Sequence, residues 1–385
     1  MRLKLFPLLN LIICLYAENF EHYGGNNLIF LMIGGESSII TDWLRRSFMS
    51  KQAEIFKAAT FTTEHRFYGK SIPRDLSIES LKYLSSEQAL ADLAHFITQM
   101  NIKHGFKNPK WIVFGGYPHL VYAAVASSGP LLAKVDFHGE YLSCIKEKTN
   151  DNSDNKNNNY NNYNNNKLCN PLEDNKNDIG YLFLSLAIPF GSAAQYGEVG
   201  RIQHACEYMT DENIKCPVSG DSARSRFLFE YRKLYRRYTA IANVFLNHQF
   251  SFTFLARQWF YQTCTEFGWF MTSNRKNDLF GDKITIDFFD SICKDVYNIK
   301  FDTSFVERSV NETNLNYGGY NLPVTRVAFV HGINDPWSPL GIMKKPPKGS
   351  IAITIKVFLL IYKLKPSKHD SCTTDSCSLT KETHF

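Results

Sequence analysis

Apolar and polar positions follow two regimes along this 385-residue chain. Leu28 to Ile33 (LIFLMI) is a short continuous apolar run ending at Gly34-Gly35-Glu36, the pattern of a strand buried on both faces that runs into a loop. Ala58 to Thr63 reads as a second strand, with Glu64-His65-Arg66-Phe67-Tyr68-Gly69 as its exit. Ser85-x-x-Gln88 is a capping box, and Leu90, Leu93, Ala94 and Ile97 follow at helical spacing. Lys110 to Phe114 predicts a strand that ends in the pair Gly115-Gly116, and Val121 to Ser127 predicts another. Strand, helix and strand in alternation predict an α/β sheet.

The second regime begins after residue 137. Residues 150–166 hold eleven asparagines in seventeen positions and predict a disordered surface loop, because they offer nothing to bury. Residues 181–300 lose the alternation and carry mixed helical runs such as Ala223 to Asn247. Buried-strand character returns at Thr325 to Val330 and ends at His331-Gly332-Ile333-Asn334-Asp335-Pro336-Trp337. The expected organisation is a core in two parts, 18–137 and 321–342, with a mainly helical cap, 138–320, inserted between them. A divergent tail, 343–385, follows. Residues 1–17 read as a secretory signal: Arg2 and Lys4 precede an apolar stretch from Leu5 to Tyr16, and Ala17 is a small residue suited to cleavage. The alternative is a buried strand or helix of the mature fold.

Composition narrows the classes. Hydrophobic residues make up 44% of the chain and charged residues 21%, which excludes global disorder, collagen-like repeats and a coiled coil. A net charge of +6 is too weak an excess for a nucleic-acid partner. No apolar run reaches the ~20 residues of a membrane span. Without Cys14, eight cysteines remain: Cys144, Cys169, Cys206, Cys216, Cys264, Cys293, Cys372 and Cys377. An even number in a secreted chain predicts disulfides, whose pairing stays open. No Cys-x-x-Cys spacing occurs, so no metal site and no cofactor are expected. Asn311-Glu312-Thr313 is an N-glycosylation acceptor. Together these point to secretion or a lysosome-like vesicle.

Asp335 lies in a turn after a late strand, at the sheet edge where catalytic groups collect. A plain turn aspartate before proline is the simpler account of the local sequence. Six segments widen the view: IGGE (33–36), EHRFYGKSIP (64–73), YLSSEQALADLAHF (83–96), AAVASSGPLLAKVDF (123–137), LARQWFYQTCTEFGWF (255–270) and FVHGINDPWSPLGI (329–342). In this order they resemble the serine carboxypeptidase family of lysosomal Pro-Xaa carboxypeptidase, dipeptidyl peptidase II and thymus-specific serine peptidase. The resemblance implies an α/β hydrolase with a helical cap, peptide substrates that include proline-containing ones, and a Ser-Asp-His triad. It assigns the triad acid to Asp335 and the oxyanion region to the Gly34-Gly35 turn, with Gly35 as the candidate. It also sets Trp259, Tyr261 and Glu266 near the substrate pocket, with cap packing as the open alternative for these three.

The nucleophile is where the chain departs from the family. No Gly-x-Ser-x-Gly occurs anywhere, and Gly115-Gly116 runs straight into Tyr117-Pro118-His119. The base is unplaced too: after Ile342 the resemblance stops, and His369 is the histidine nearest the expected position. A physical argument meets the first gap independently. Only Tyr117 to Leu120 separate two strands expected to be parallel, and a parallel crossover takes a dozen or more residues. A break in the central sheet is therefore expected. Ile351 to Tyr362 is an apolar run with no evident partner. In-frame gaps with a foreign tail are what a mis-spliced transcript or a faulty gene model would give. Two readings follow: a serine exopeptidase by ancestry that is inactive in this form, or a non-catalytic secreted protein that binds peptides.

Overall fold

The structure is a computed structural model that describes residues 4–7, 13–115, 121–137, 176–195, 257–273, 282–333 and 335–355. The Asn-rich segment, the run Ala223 to Asn247, His369 and six of the eight cysteines lie outside these residues.

Eight strands build the main sheet: β1 (Lys4–Pro7), β2 (Ile13–Asn19), β3 (Leu28–Ile33), β4 (Ala59–Thr63), β5 (Lys110–Phe114), β6 (Ala123–Ser127), β9 (Val327–Gly332) and β10 (Ile351–Ile355). Their order is β1-β2-β4-β3-β5-β6-β9-β10. The pairings β1/β2 and β2/β4 are antiparallel, and the remaining five are parallel. A small second sheet pairs β7 (Lys134–Asp136) with β8 (Gly268–Phe270) and ties the cap to the end of the first core segment. This is the strand arrangement of an α/β hydrolase, as the family resemblance implied.

Helices cover both faces. Ser47 caps α1 (Phe48–Phe56) reciprocally with Ser50, and the buried Met49 and Ala53 of α1 pack on Phe30 and Phe114. A one-turn helix, α2 (Ile78–Leu81), precedes α3 (Ser86–His104). The α3 helix starts where the capping residue Ser85 accepts the Gln88 amide, and it stops at the left-handed Gly105. Its Leu93, Phe96, Ile97 and Met100 recur at helical spacing and cover the opposite face through Leu31, Val113, Ala126 and Phe329. In the cap, α4 (Lys176–Gln195), α5 (Arg257–Gln262), α6 (Ile286–Val296) and α7 (Thr303–Tyr317) are helical, and a π-helical turn (Thr263–Phe267) joins α5 to β8. A disulfide, Cys264–Cys293, staples that turn to α6.

Three details differ from expectation. The sheet does not break between β5 and β6, which pair in parallel through Ile112–Ala123, Val113–Ala124 and Phe114–Val125. Because the overlap is three residues, the link has to travel back only about 10 Å, not a full strand length. The run beginning at Ile351 does have a partner: β10 pairs with β9 over Ile351–Ile355. Sequence patterning shows a strand there but cannot show a partner some twenty residues upstream. Finally, residues at the end of the signal-like segment form β2. Leu15, Tyr16 and Ala17 are buried, the Leu15 amide donates to Ser71 Oγ at 2.9 Å, and the Leu15 carbonyl accepts the Glu64 amide at 2.9 Å. Cleavage after Ala17 would divide this strand.

Candidate active site at the carboxyl edge of the sheet

Parallel strands deliver their exits to one edge, and two clusters of polar side chains assemble there. The first follows β4. The Glu64 carboxylate accepts the amides of Ile39 and Lys70, both at 2.9 Å, and the Ser71 hydroxyl at 2.7 Å. Arg66 makes a two-pronged ion pair with Asp92, Nε to Oδ2 at 2.6 Å and Nη2 to Oδ1 at 2.7 Å. Its Nη1 donates to the Tyr83 carbonyl at 2.7 Å and also to Gln88. Burial nonetheless pushes the Asp92 carboxyl up from its ordinary value, against the pull of Arg66.

The cap locks onto this loop. Tyr68 donates to Gln262 Oε1 at 2.6 Å, Gln258 to the Phe67 carbonyl at 2.9 Å, and Arg257 to the Leu76 carbonyl at 2.9 Å. The run RQWFYQTCTEFGW (257–269) is therefore the cap's clamp on the loop EHRFYG. Its three pocket candidates serve that clamp. Trp259 stacks on Trp269 with centroids 5.8 Å apart. Tyr261 meets the rings of Tyr297 and Phe301 edge-on, and burial together with the Glu266 charge pushes its phenol up to about 12. Glu266 accepts the Ser86 hydroxyl at 2.7 Å and the Ser86 amide at 3.0 Å; burial raises its carboxyl while these bonds restrain the shift. None of the three borders the cavity that opens here, whereas their neighbours Gln262, Phe267 and Trp269 do. Trp259 and Tyr261 pack against rings of the cap, and Glu266 ties the cap to Ser86 of α3.

The second cluster follows β9. Asp335 Oδ1 accepts the Trp337 amide at 3.0 Å, and the Asp335 amide donates to the Gly332 carbonyl at 3.2 Å. Its other oxygen, Oδ2, is buried and has no hydrogen-bond partner among the described residues. His331 is fully buried, and neither ring nitrogen has a partner among them. Burial holds its imidazole below the ordinary value, partly offset by the Asp335 charge. The ring rests on Gly341, where a Cβ would come within 2.1 Å of Cε1, so that position needs glycine. His331 was visible in the motif HGINDPW but carried no signal of its own. An imidazole four residues before a turn aspartate looks like any strand end.

Between the clusters, Gly34 admits no side chain, because a Cβ would lie 2.3 Å from the Thr63 carbonyl oxygen, while Gly35 faces open space. A cavity of about 390 Å³ borders Gly34 and His65 at this edge. His65 Nδ1 lies 2.7 Å from the Arg66 carbonyl, so that nitrogen carries the proton of a neutral ring. Burial lowers its pKa accordingly. Among the described residues, no group of three or more His, Cys, Asp or Glu is arranged to hold a metal ion. No described helix is long and apolar enough to cross a membrane.

A carboxylate on the turn after the seventh strand of such a sheet is placed to orient an imidazole. In comparison with known proteins, residues 15–379 match the family model for serine carboxypeptidase S28. The chain belongs to the serine carboxypeptidase S28 family. Thymus-specific serine protease of Mus musculus is 28% identical over 85% of this chain and 74% of its own length. Lysosomal Pro-X carboxypeptidase of Homo sapiens is 26% identical over 89% of this chain and 76% of its own. Among solved structures, epoxide hydrolase A from Mycobacterium thermoresistibile overlays 92% of this chain and 90% of its own, at 11% identity and a TM-score of 0.36. The S28 match spans both polar clusters and the cap clamp.

Proposed function

We propose that this S28 chain has the scaffold of a secreted or lysosomal serine exopeptidase, with Asp335 as triad acid, and that it does not turn substrate over in this form. The observation that carries the reading is the unspent Oδ2 of Asp335, at the end of the strand that supplies a triad acid in this fold. In a complete triad that oxygen accepts the imidazole N–H and stabilises the imidazolium formed when the serine proton moves to the ring. The serine oxygen then attacks the peptide carbonyl, the imidazolium protonates the departing amine, and water releases the acyl group. His369 is the base in this proposal, and Gly35 its oxyanion donor.

No Gly-x-Ser-x-Gly turn is available to present a nucleophile. That absence favours peptide binding without cleavage. The names of the two relatives support peptide substrates, proline-containing ones included, and of the two exopeptidase modes it is carboxypeptidase action that one relative and the family description name. The Cys264–Cys293 disulfide and the exposed Asn311 on α7 support an oxidising, glycosylating route. The test is a fluorophosphonate probe that labels activated serines. Full-length chain from a secretory host should not label. Stoichiometric labelling would overturn the inactivity, and the modified peptide would identify the serine.

A further inference from the structure

The opposite edge of the sheet, where the parallel strands begin, carries a one-signed row of charge from β3 to β10. Lys110 opens β5, Arg326 immediately precedes β9, and Lys348 lies just before β10. The Lys107 amide donates to Asn27 Oδ1 at 3.3 Å, which sets Lys107 beside the start of β3. The Arg326 amide donates to the Gly349 carbonyl at 2.9 Å, which sets Lys348 beside Arg326. In the sheet order β3-β5-β6-β9-β10 these cations line up, over four strand spacings or about 19 Å. Lys344 and Lys345 approach the row along the segment that leads into β10, and all six side chains are exposed. The segments that build this edge, 26–27, 107–110, 121–122, 324–326 and 343–350, contain no aspartate or glutamate. The whole chain holds 43 cations and 37 anions, so composition alone does not give a run of edge with one sign only.

Two of the cations are held in place. Lys110 Nζ and Arg326 Cζ each lie 5.1 Å from the centroid of the Tyr122 ring, and Arg326 Nε donates to the Tyr122 carbonyl at 2.5 Å. These contacts restrain long side chains that solvent would otherwise leave free, which lowers the entropy lost when a ligand orders them. The Lys110 ammonium and the Arg326 Nη groups keep their hydrogens unspent on partners among the described residues, ready for an anion. We propose that this edge binds a linear sulfated glycan, its sulfate groups set along the row from Lys107 to Lys348. A line of charge matches a linear polyanion, and a sulfate ester offers several acceptor oxygens to each cation. Nucleic acid fits less well, because the Tyr122 ring is engaged by two cations and gives bases no free stacking platform. A chain exported by the route proposed above meets such glycans outside the cell. The row lies a strand length, about 17 Å, from the carboxyl edge, so a bound glycan leaves the site there uncovered.

The experiment titrates the full chain with a heparin-derived sulfated octasaccharide and reads binding by calorimetry. Saturable binding is expected at about 0.05 M salt, weakening about tenfold or more by about 0.3 M as the charges are screened. Lys107→Gln, Lys110→Gln and Lys348→Gln together should weaken it about tenfold or more. Lys51→Gln, Lys70→Gln and Lys82→Gln together remove the same charge from exposed positions on other elements and should change it less than about twofold. Absence of saturation would overturn the proposal. Equal losses from the two triplets would also overturn it, because net charge and not the row would then set the affinity. So would binding that ignores salt, or a desulfated octasaccharide that binds as well; both are read on the parent chain and decide the matter even where a triplet folds poorly. Tighter binding of phosphatidylserine vesicles or of a single-stranded oligonucleotide than of the octasaccharide would overturn the choice of partner.

Discussion

The exits of β4 and β9 reach the same edge of the same sheet and treat their polar atoms in opposite ways. After β4, the Glu64 carboxylate takes three donors and Arg66 is bonded to Asp92, Tyr83 and Gln88. After β9, one carboxylate oxygen of Asp335 and both nitrogens of His331 are buried without a hydrogen-bond partner among the described residues. A buried polar group without a partner costs about 1–3 kcal/mol, so a fold carries few of them unless they have another use. The contrast separates scaffold from chemistry. EHRFYG, the more conspicuous motif in the sequence, is held by structural bonds, and the quieter HGINDPW holds the unpartnered buried polar atoms, among them the carboxylate proposed above as triad acid.

The largest effect should come from breaking the saturated side. Arg66 and Asp92 have side chains only 3% and 11% exposed. Asp92→Ala leaves the guanidinium buried without its counter-charge, and stability should fall by about 3–5 kcal/mol in urea unfolding. A loss below about 1 kcal/mol would mean that the clamp is ornamental and the contrast false. Next is the staple between the π-helical turn and α6. Cys264→Ser together with Cys293→Ser should cost about 2–4 kcal/mol, read as a lowered melting temperature. An unchanged melt would show that the clamp holds the cap without it.

A subtler effect concerns pH and belongs to the unsaturated side. An unfolded histidine titrates near 6.5, while folded His331 is held lower by burial. As pH falls below 6.5, the unfolded chain takes up this proton before the folded chain does, so stability is lost on acidification and is fully present above 6.5. His65 acts with the same sign. Glu266 and Asp92 act with the opposite sign, because their folded carboxyls are raised: they give up stability as pH climbs from the ordinary carboxylate range through their folded values. His331→Asn should therefore lose less stability than the parent between pH 7.5 and 5. Equal losses would show that the imidazole is not held neutral by the fold.

Much of the sheet was legible because buried parallel strands are short apolar runs. Leu28 to Ile33 is a strand with the boundaries that its pattern predicts, and Ser85 caps α3 as its capping box predicts. The pairing of β10 was not legible, since the choice of a partner depends on the twist and stacking of the whole sheet. The continuity from β5 to β6 was hidden for a related reason: the sequence gives the length of a link but not how far the paired strands overlap. The turn position of Asp335 after β9 was legible from the buried-strand run that precedes it. The roles of Trp259, Tyr261 and Glu266 were not, because an aromatic or acidic residue in a cap helix looks the same whether it faces a cavity or its own domain.

Equilibrium unfolding of Asp335→Asn most directly tests the division between scaffold and chemistry. Asparagine can still accept the Trp337 amide through its carbonyl oxygen, and Oδ2 gives up no hydrogen bond among the described residues. The account predicts a stability within about 0.5 kcal/mol of the parent, or slightly above it. A loss of about 2 kcal/mol or more would contradict it, showing that Asp335 is as much a structural carboxylate as Glu64.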